Sequence, residues 1–157
     1  MTTIAWIVLI IFIAYFFERL IDNRNNPNQN VYSENINGHV QVSLQRNPQG
    51  HYISDGRINN QPVVFLLDTG ATEVAIPMRV ANELNLPVGP GVQAKTANGT
   101  ALVYRTHLQS ISLGEITLYD LPATILSNVT GNEILLGMSF LKNFEIIQKG
   151  KTLTIKQ

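Results

Sequence analysis

Asp68 is the side chain best placed to do chemistry. Five apolar residues, Val63-Val64-Phe65-Leu66-Leu67, run straight into it, and Thr69-Gly70-Ala71-Thr72 follows. An apolar run rich in β-branched and aromatic types, closed by turn residues, reads as a buried strand. The carboxylate therefore sits where the chain leaves the core. There it is costly unless it is hydrogen-bonded, paired or used, and its use would be proton transfer. Gly70 permits a sharp turn or a close backbone approach. A capped tight bend is the plainer reading, since Asp-Thr-Gly alone arises by chance in roughly one chain in ten to twenty of this length. Other candidates are weaker. Asp55 precedes Gly56 in a polar turn and Asp120 falls in Tyr-Asp-Leu-Pro, so neither closes an apolar strand. His39, His51 and His107 have no metal-ligand spacing and read as strand-surface residues. With no cysteine there is no disulfide or thiolate site. No metal and no cofactor is expected.

A second apolar run strengthens the first. Glu133-Ile134-Leu135-Leu136-Gly137-Met138-Ser139-Phe140-Leu141 also ends at a glycine and passes into a short helical pattern. Taken together, in this order and spacing, the two motifs resemble the retropepsin-like aspartic proteases, and most closely the small bacterial group with an N-terminal membrane segment. The resemblance covers about residues 38 to 157. It implies an all-β, retropepsin-like closed β-barrel of the acid protease fold with one short helix, preceded by an N-terminal transmembrane helix.

The resemblance also implies a mechanism. Two carboxylates about 3 Å apart share one proton, because like charges that close do not both ionise easily. One accepts a proton from water and the other donates toward the scissile carbonyl. The chain has one Asp-Thr-Gly, and position 137 of the second run is glycine. The missing carboxylate then comes from a second copy, with Asp68 of each subunit at a two-fold axis. By the same resemblance Thr69 hydrogen-bonds across the axis, Gly70 offers its N–H to the carboxylate, and Ala71 lines the cleft. Alanine supplies no hydroxyl to that carboxylate, which implies a mildly acidic optimum. Leu135, Leu136 and Gly137 bring a strand close behind the active loop, and the strand around Leu153 and Ile155 joins the dimer. The substrate is an extended peptide held by main-chain hydrogen bonds. The rival class is a catalytically inactive dimerisation or peptide-binding module of the same fold, or a membrane-anchored assembly factor.

Around these motifs the pattern is one of strands. Val40, Val42 and Leu44 alternate with polar residues. Asn59-Asn60 suits a tight turn ahead of the central strand. Val74 to Pro77 reads as a short strand, and Arg79 to Leu84 as a helix stopped by Asn85 and Pro87. Two strand-like runs flank Asn98-Gly99, a strong hairpin signal. Ala97, Asn98 and Gly99 are the expected tip of a flap over the substrate. Further strands are expected at 111–113, 116–118, 123–126, 134–136, 144–147 and 152–155.

The N-terminal end is of another kind. Thr2 to Phe17 carries no charge. With Leu20-Ile21 it is long enough to cross a bilayer, and neither a basic start nor a small-x-small site marks it as a cleaved leader. Residues 1–21 are read as an anchor and 22–37 as a flexible, asparagine-rich linker open to self-cleavage. Residues 38–157 are read as the protease domain. Arg19 and Arg24 lean toward a cytoplasmic domain, while the resemblance implies the bacterial inner membrane with the domain in the periplasm. The periplasm is the reading adopted. Net charge is zero, from 11 basic and 11 acidic side chains without a basic cluster, which argues against nucleic acid as a partner. The expected partners are a second copy, a peptide, and the membrane through residues 2–21.

Overall fold

The computed structural model describes residues 2–96 and 99–157. Two sheets carry the fold. The smaller takes β1 (Tyr32–Ile36), β2 (His39–Gln45), β11 (Thr152–Lys156) and β10 (Glu145–Lys149), in that order. The larger runs β3 (Ile53–Ile58), β4 (Gln61–Leu67), β9 (Ile134–Leu136), β5 (Val74–Pro77), β8 (Ile116–Leu126), β7 (Gly99–Leu113) and β6 (Gly91–Thr96). Arg57 and Ile58 of β3 pair back with Ser112 and Ile111 of β7, which closes the larger sheet into the expected barrel. Two short helices, α2 (Met78–Glu83) and α3 (Met138–Leu141), pack beside it.

Turn chemistry sets the registers. Asn59 and Asn60 have φ of 49° and 65° and join Ile58 to Gln61, which face each other across β3 and β4. Two consecutive left-handed residues match the right-handed twist of the flanking strands, and asparagine tolerates that conformation. Alternation then turns Val63 and Phe65 inward. Phe65, Ile76, Ile125, Leu136 and Phe140 are fully buried in one core, which Val42, Leu44 and Ile155 of the smaller sheet close. Each such side chain contributes about 1.5–3 kcal/mol on burial.

Several elements differ from the sequence reading. The runs at 100–108 and 111–113 are one strand, β7, and those at 116–118 and 123–126 are one strand, β8. Polar residues on the outer face of this long ribbon look like loop in a local window. Asp55 lies inside β3 opposite Val64, not in a turn, and Asp120 lies inside β8 with φ of 61°. His51 precedes β3 in a loop. The terminal strand β11 is not free to join a partner. It is paired on both sides, with β2 and β10, and Leu153 and Ile155 are buried.

The largest departure is at 22–37, expected as a flexible linker. An apolar helix, α1, runs from Thr2 to Asn25. Asn28, 5% exposed, then docks on the barrel. Its amide donates to the carbonyls of Gln45 (2.9 Å) and Ile53 (2.6 Å), and its Oδ1 accepts the Gln45 N–H at 2.7 Å. The Asn26 amide donates to the Asp55 carboxylate, and the Asn47 amide to the Asn25 carbonyl. Asn37-Gly38, at φ of 55° and 86°, then turns β1 onto β2. Composition counts too few apolar groups here to order a chain. Order comes instead from amides that satisfy backbone groups at strand ends. Within Ile4–Asn25 of α1, a window of 18 residues has a mean hydropathy of 2.3 and none of that window is buried. Those 18 residues span about 27 Å, close to a hydrocarbon layer of about 30 Å.

Candidate active site

β4 and β5 are consecutive in the chain but not neighbours in the sheet, because β9 lies between them. β9 runs parallel to β4, with Leu66 opposite Leu135 and Leu67 opposite Leu136. It is antiparallel to β5, where Ala75 faces Leu135. The chain leaving β4 at Asp68 must therefore arch over the end of β9 to reach β5. That end is Gly137. A Cβ built there would stand 2.2 Å from the Glu73 carbonyl oxygen and 2.6 Å from that of Ala71. Its backbone is extended, at φ −88° and ψ −171°, so space alone demands glycine.

Hydrogen bonds fasten the arch to what lies beneath it. The Asp68 N–H donates to the Leu136 carbonyl at 3.2 Å, and the Met138 and Ser139 N–H groups donate to the carbonyls of Ala71 and Thr72 at 2.8 and 2.9 Å. The Ser139 hydroxyl accepts the buried Val74 N–H at 3.0 Å. The Met138 and Ser139 N–H groups are the first of α3 and have no partner inside their own helix. Inside the arch, the Gly70 N–H donates to the Asp68 carboxylate at 2.8 Å, and the Ala71 N–H to the Asp68 carbonyl at 3.2 Å. Asp68 is half-buried, while Thr69 and Gly70 are exposed.

Asp68 and Thr69 also border a pocket of about 180 Å³, together with Tyr52, Ile146, Gln148 and Leu153. The Tyr52 hydroxyl is buried with no hydrogen-bond partner among the described residues.

The structure thus brings together Asp68, Thr69, Gly70, Ala71, Leu135, Leu136 and Gly137. The expected flap tip falls mostly outside it, since Ala97 and Asn98 are not among the described residues. Gly99 opens β7 at φ of 107°, opposite Thr96 of β6. Ser139 was missed from the sequence. Its only signal is a hydroxyl two residues beyond the packed glycine, in a helix too short to bury a serine without a partner.

A family model described as gag-polyprotein putative aspartyl protease matches residues 54–143, from β3 through α3. The chain belongs to the retropepsin-like aspartic protease family. Among solved structures, this retropepsin-like chain is similar to a retropepsin-like aspartic protease from Rickettsia conorii. The TM-score is 0.61 at 22% identity, covering 80% of this chain and 94% of that one. It is also similar to the EIAV protease complexed with the inhibitor HBY-793, with a TM-score of 0.51 at 19% identity, over 64% of this chain and 93% of that one. At such identities the likeness is one of fold. A Sinorhizobium protein described as uncharacterized, in the cobV 5′ region, is 29% identical over 153 residues. That alignment takes in 91% of the present chain but 66% of its relative's length.

Proposed function

We propose that this retropepsin-like chain is an aspartic endopeptidase that works as a homodimer. Asp68 of each subunit supplies one carboxylate of a pair that shares a proton. The ionised member takes a proton from water, and the resulting nucleophile attacks the scissile carbonyl. The protonated member donates toward the carbonyl oxygen. The observation that carries this reading is the arch itself: one Asp-Thr-Gly held over Gly137, its carboxylate met by the Gly70 N–H at 2.8 Å.

Thr69, exposed at the crown of the arch, is the residue for a hydrogen bond across the axis. Ala71 lines the cleft. The β6–β7 arm, with Ala97, Asn98 and Gly99 at its tip, is the flap over an extended peptide. α1 anchors the enzyme as a single span in a bacterial inner membrane, with the domain in the periplasm. Confinement to a membrane raises the effective concentration of subunits and favours pairing.

The test uses the full-length chain in detergent micelles, because a fragment beginning at residue 38 would lose both β1 and the Asn28 contacts. Incubated with a peptide library, the parent should cleave and Asp68→Asn should not, with unchanged circular dichroism. Cleavage that survives in Asp68→Asn removes Asp68 from the chemistry. A well-folded dimer that cuts nothing makes the chain a peptide-binding module instead.

A further inference from the structure

The last turn of α1 meets two tips of the barrel. Asn25 stands four residues beyond Ile21, the last apolar residue of the helix, and so about 6 Å further along its axis. Its carbonyl accepts the Asn47 amide at 2.9 Å, and its side-chain oxygen accepts the Gln49 amide at 3.5 Å. Both donors belong to the turn at 46–51 between β2 and β3. That turn is folded on itself, since the Gly50 N–H donates to the Asn47 carbonyl at 3.0 Å and the His51 N–H to the Asn47 side chain at 2.9 Å. The Arg46 N–H donates to the Lys151 carbonyl at 2.8 Å, which sets the Lys149-Gly150-Lys151 tip of the β10–β11 hairpin alongside. The juxtaposition gathers positive charge. Arg24 lies in the last turn of α1, Arg46 in the first tip, and Lys149 and Lys151 in the second. All four are exposed, and among the described residues none is paired with a carboxylate. Asp22 is the one acidic residue within 22–25, 46–51 and 149–151. The whole chain has 11 basic and 11 acidic side chains, so four cations against one carboxylate here leave the rest of the molecule with the matching acidic excess. Along the sequence these cations form no run; the fold collects them.

We propose that Arg24, Arg46, Lys149 and Lys151 form a collar that binds the anionic headgroups of the bilayer α1 crosses. This rests on the reading of α1 as a membrane span, and it stands apart from the chemistry at Asp68. Height carries the argument. The headgroup layer on each side of the hydrocarbon is about 5–8 Å deep. The two tips are fastened to Asn25 about 6 Å past the end of the apolar run, which is headgroup level. A cation at that level is attracted to acidic lipid, and the attraction fades beyond a Debye length of about 10 Å. The fork of an arginine and the ammonium of a lysine both suit a phosphodiester oxygen. The acidic excess on the rest of the molecule is repelled by the same surface, so the charge distribution orients the barrel with these tips toward the lipid.

The chain contains no cysteine, so one introduced thiol can carry a reporter. Gln49→Cys, exposed in the first tip, is labelled with a fluorophore in the full-length chain. The protein is placed in phosphatidylcholine vesicles with a trace of nitroxide-labelled phosphatidylglycerol or of nitroxide-labelled phosphatidylcholine, and quenching by the two lipids is compared. Phosphatidylglycerol should be selected about fivefold, and the preference should fade toward parity at 1 M salt, where the Debye length is about 3 Å. Arg46→Gln/Lys149→Gln/Lys151→Gln should abolish the preference, and Lys149→Arg/Lys151→Arg should keep it. Arg57→Gln/Arg79→Gln/Arg105→Gln removes the same charge from exposed positions on β3, α2 and β7 and should leave the preference intact. The collar is overturned if the parent quenches equally with both lipids, if the preference is unmoved by salt, or if the two glutamine triples behave alike. Retention of the chain in the vesicle pellet at alkaline pH tests the span separately. A chain released there removes the span, and the proposal with it. A chain retained there yet indifferent to lipid charge removes the collar alone.

Discussion

Replacing Gly137 with alanine tests the arch directly. The added Cβ would meet the Glu73 carbonyl oxygen at 2.2 Å, and Cβ atoms essentially never come closer than 3.0 Å to such a neighbour. Opening that gap moves one backbone past the other by about 0.8 Å. Neither side yields freely. β9 is held between β4 and β5, and the loop is bonded to α3 through the carbonyls of Ala71 and Thr72. Overpacking of this kind costs about 1–3 kcal/mol, and two stretched hydrogen bonds add about 1 kcal/mol each. A loss near 3 kcal/mol is expected, lowering the melting temperature by about 6–12 °C for a chain of this size. Because the shift falls on the loop that carries Asp68, cleavage should drop by about a hundredfold even in the fraction that remains folded. The assays are urea unfolding followed by circular dichroism, and peptide cleavage at a temperature where the variant is folded. A loss below about 0.5 kcal/mol with unchanged cleavage would show that the loop slides freely on β9, and the packing account would fail.

Three further outcomes follow from other contacts. Ser139→Ala leaves the buried Val74 N–H without its acceptor and should cost about 1–3 kcal/mol in the same unfolding assay; a change within about 0.5 kcal/mol would mean that another group takes its place. Asn28→Ala removes three hydrogen bonds to the barrel; it should destabilise by about 2 kcal/mol and open the chain after α1 to limited proteolysis, and cleavage sites unchanged in rate would refute the docking. Burial raises the Asp55 carboxyl above its ordinary 3.8, against the opposing hydrogen bond from Asn26. The folded state therefore holds that proton more tightly, and the stability it contributes is lost as pH rises through the raised value. Asp55→Asn should accordingly melt higher than the parent at pH 7, with the gap closing as pH falls toward 3.8; a gap independent of pH would place the effect elsewhere.

How much of this was legible in the sequence depended on whether the signal was local. Val63 to Leu67 is a strand because five apolar residues in a row have no other economical place, and Asp68 follows it by position alone. Ile134 to Leu136 reads the same way, while the close approach at Gly137 came from the family resemblance and not from a local signal. The asparagines of 22–37 were opaque for two reasons. Asn37-Gly38 carries the same hairpin signal as Asn98-Gly99, but it sits among residues that composition assigns to disorder. Asn28 is ordered by backbone groups of Gln45 and Ile53, partners far along the chain that no local window contains. The strand about Leu153 and Ile155 was visible as a strand. Its place between β2 and β10 was not, because pairing order is a property of the sheet.

The seating of Asn26 and Asn28 on the barrel also bears on the reach of the enzyme proposed above. α1 ends at Asn25, whose own carbonyl already accepts the Asn47 amide, and Asn26 follows with its bond to Asp55. If α1 crosses a bilayer, as proposed, the barrel would stand at a fixed height just above the lipid and swing on no leash. Substrates of the proposed activity would then be peptides that arrive at that surface, such as the membrane-proximal ends of other anchored proteins, and not segments held far out in the aqueous compartment.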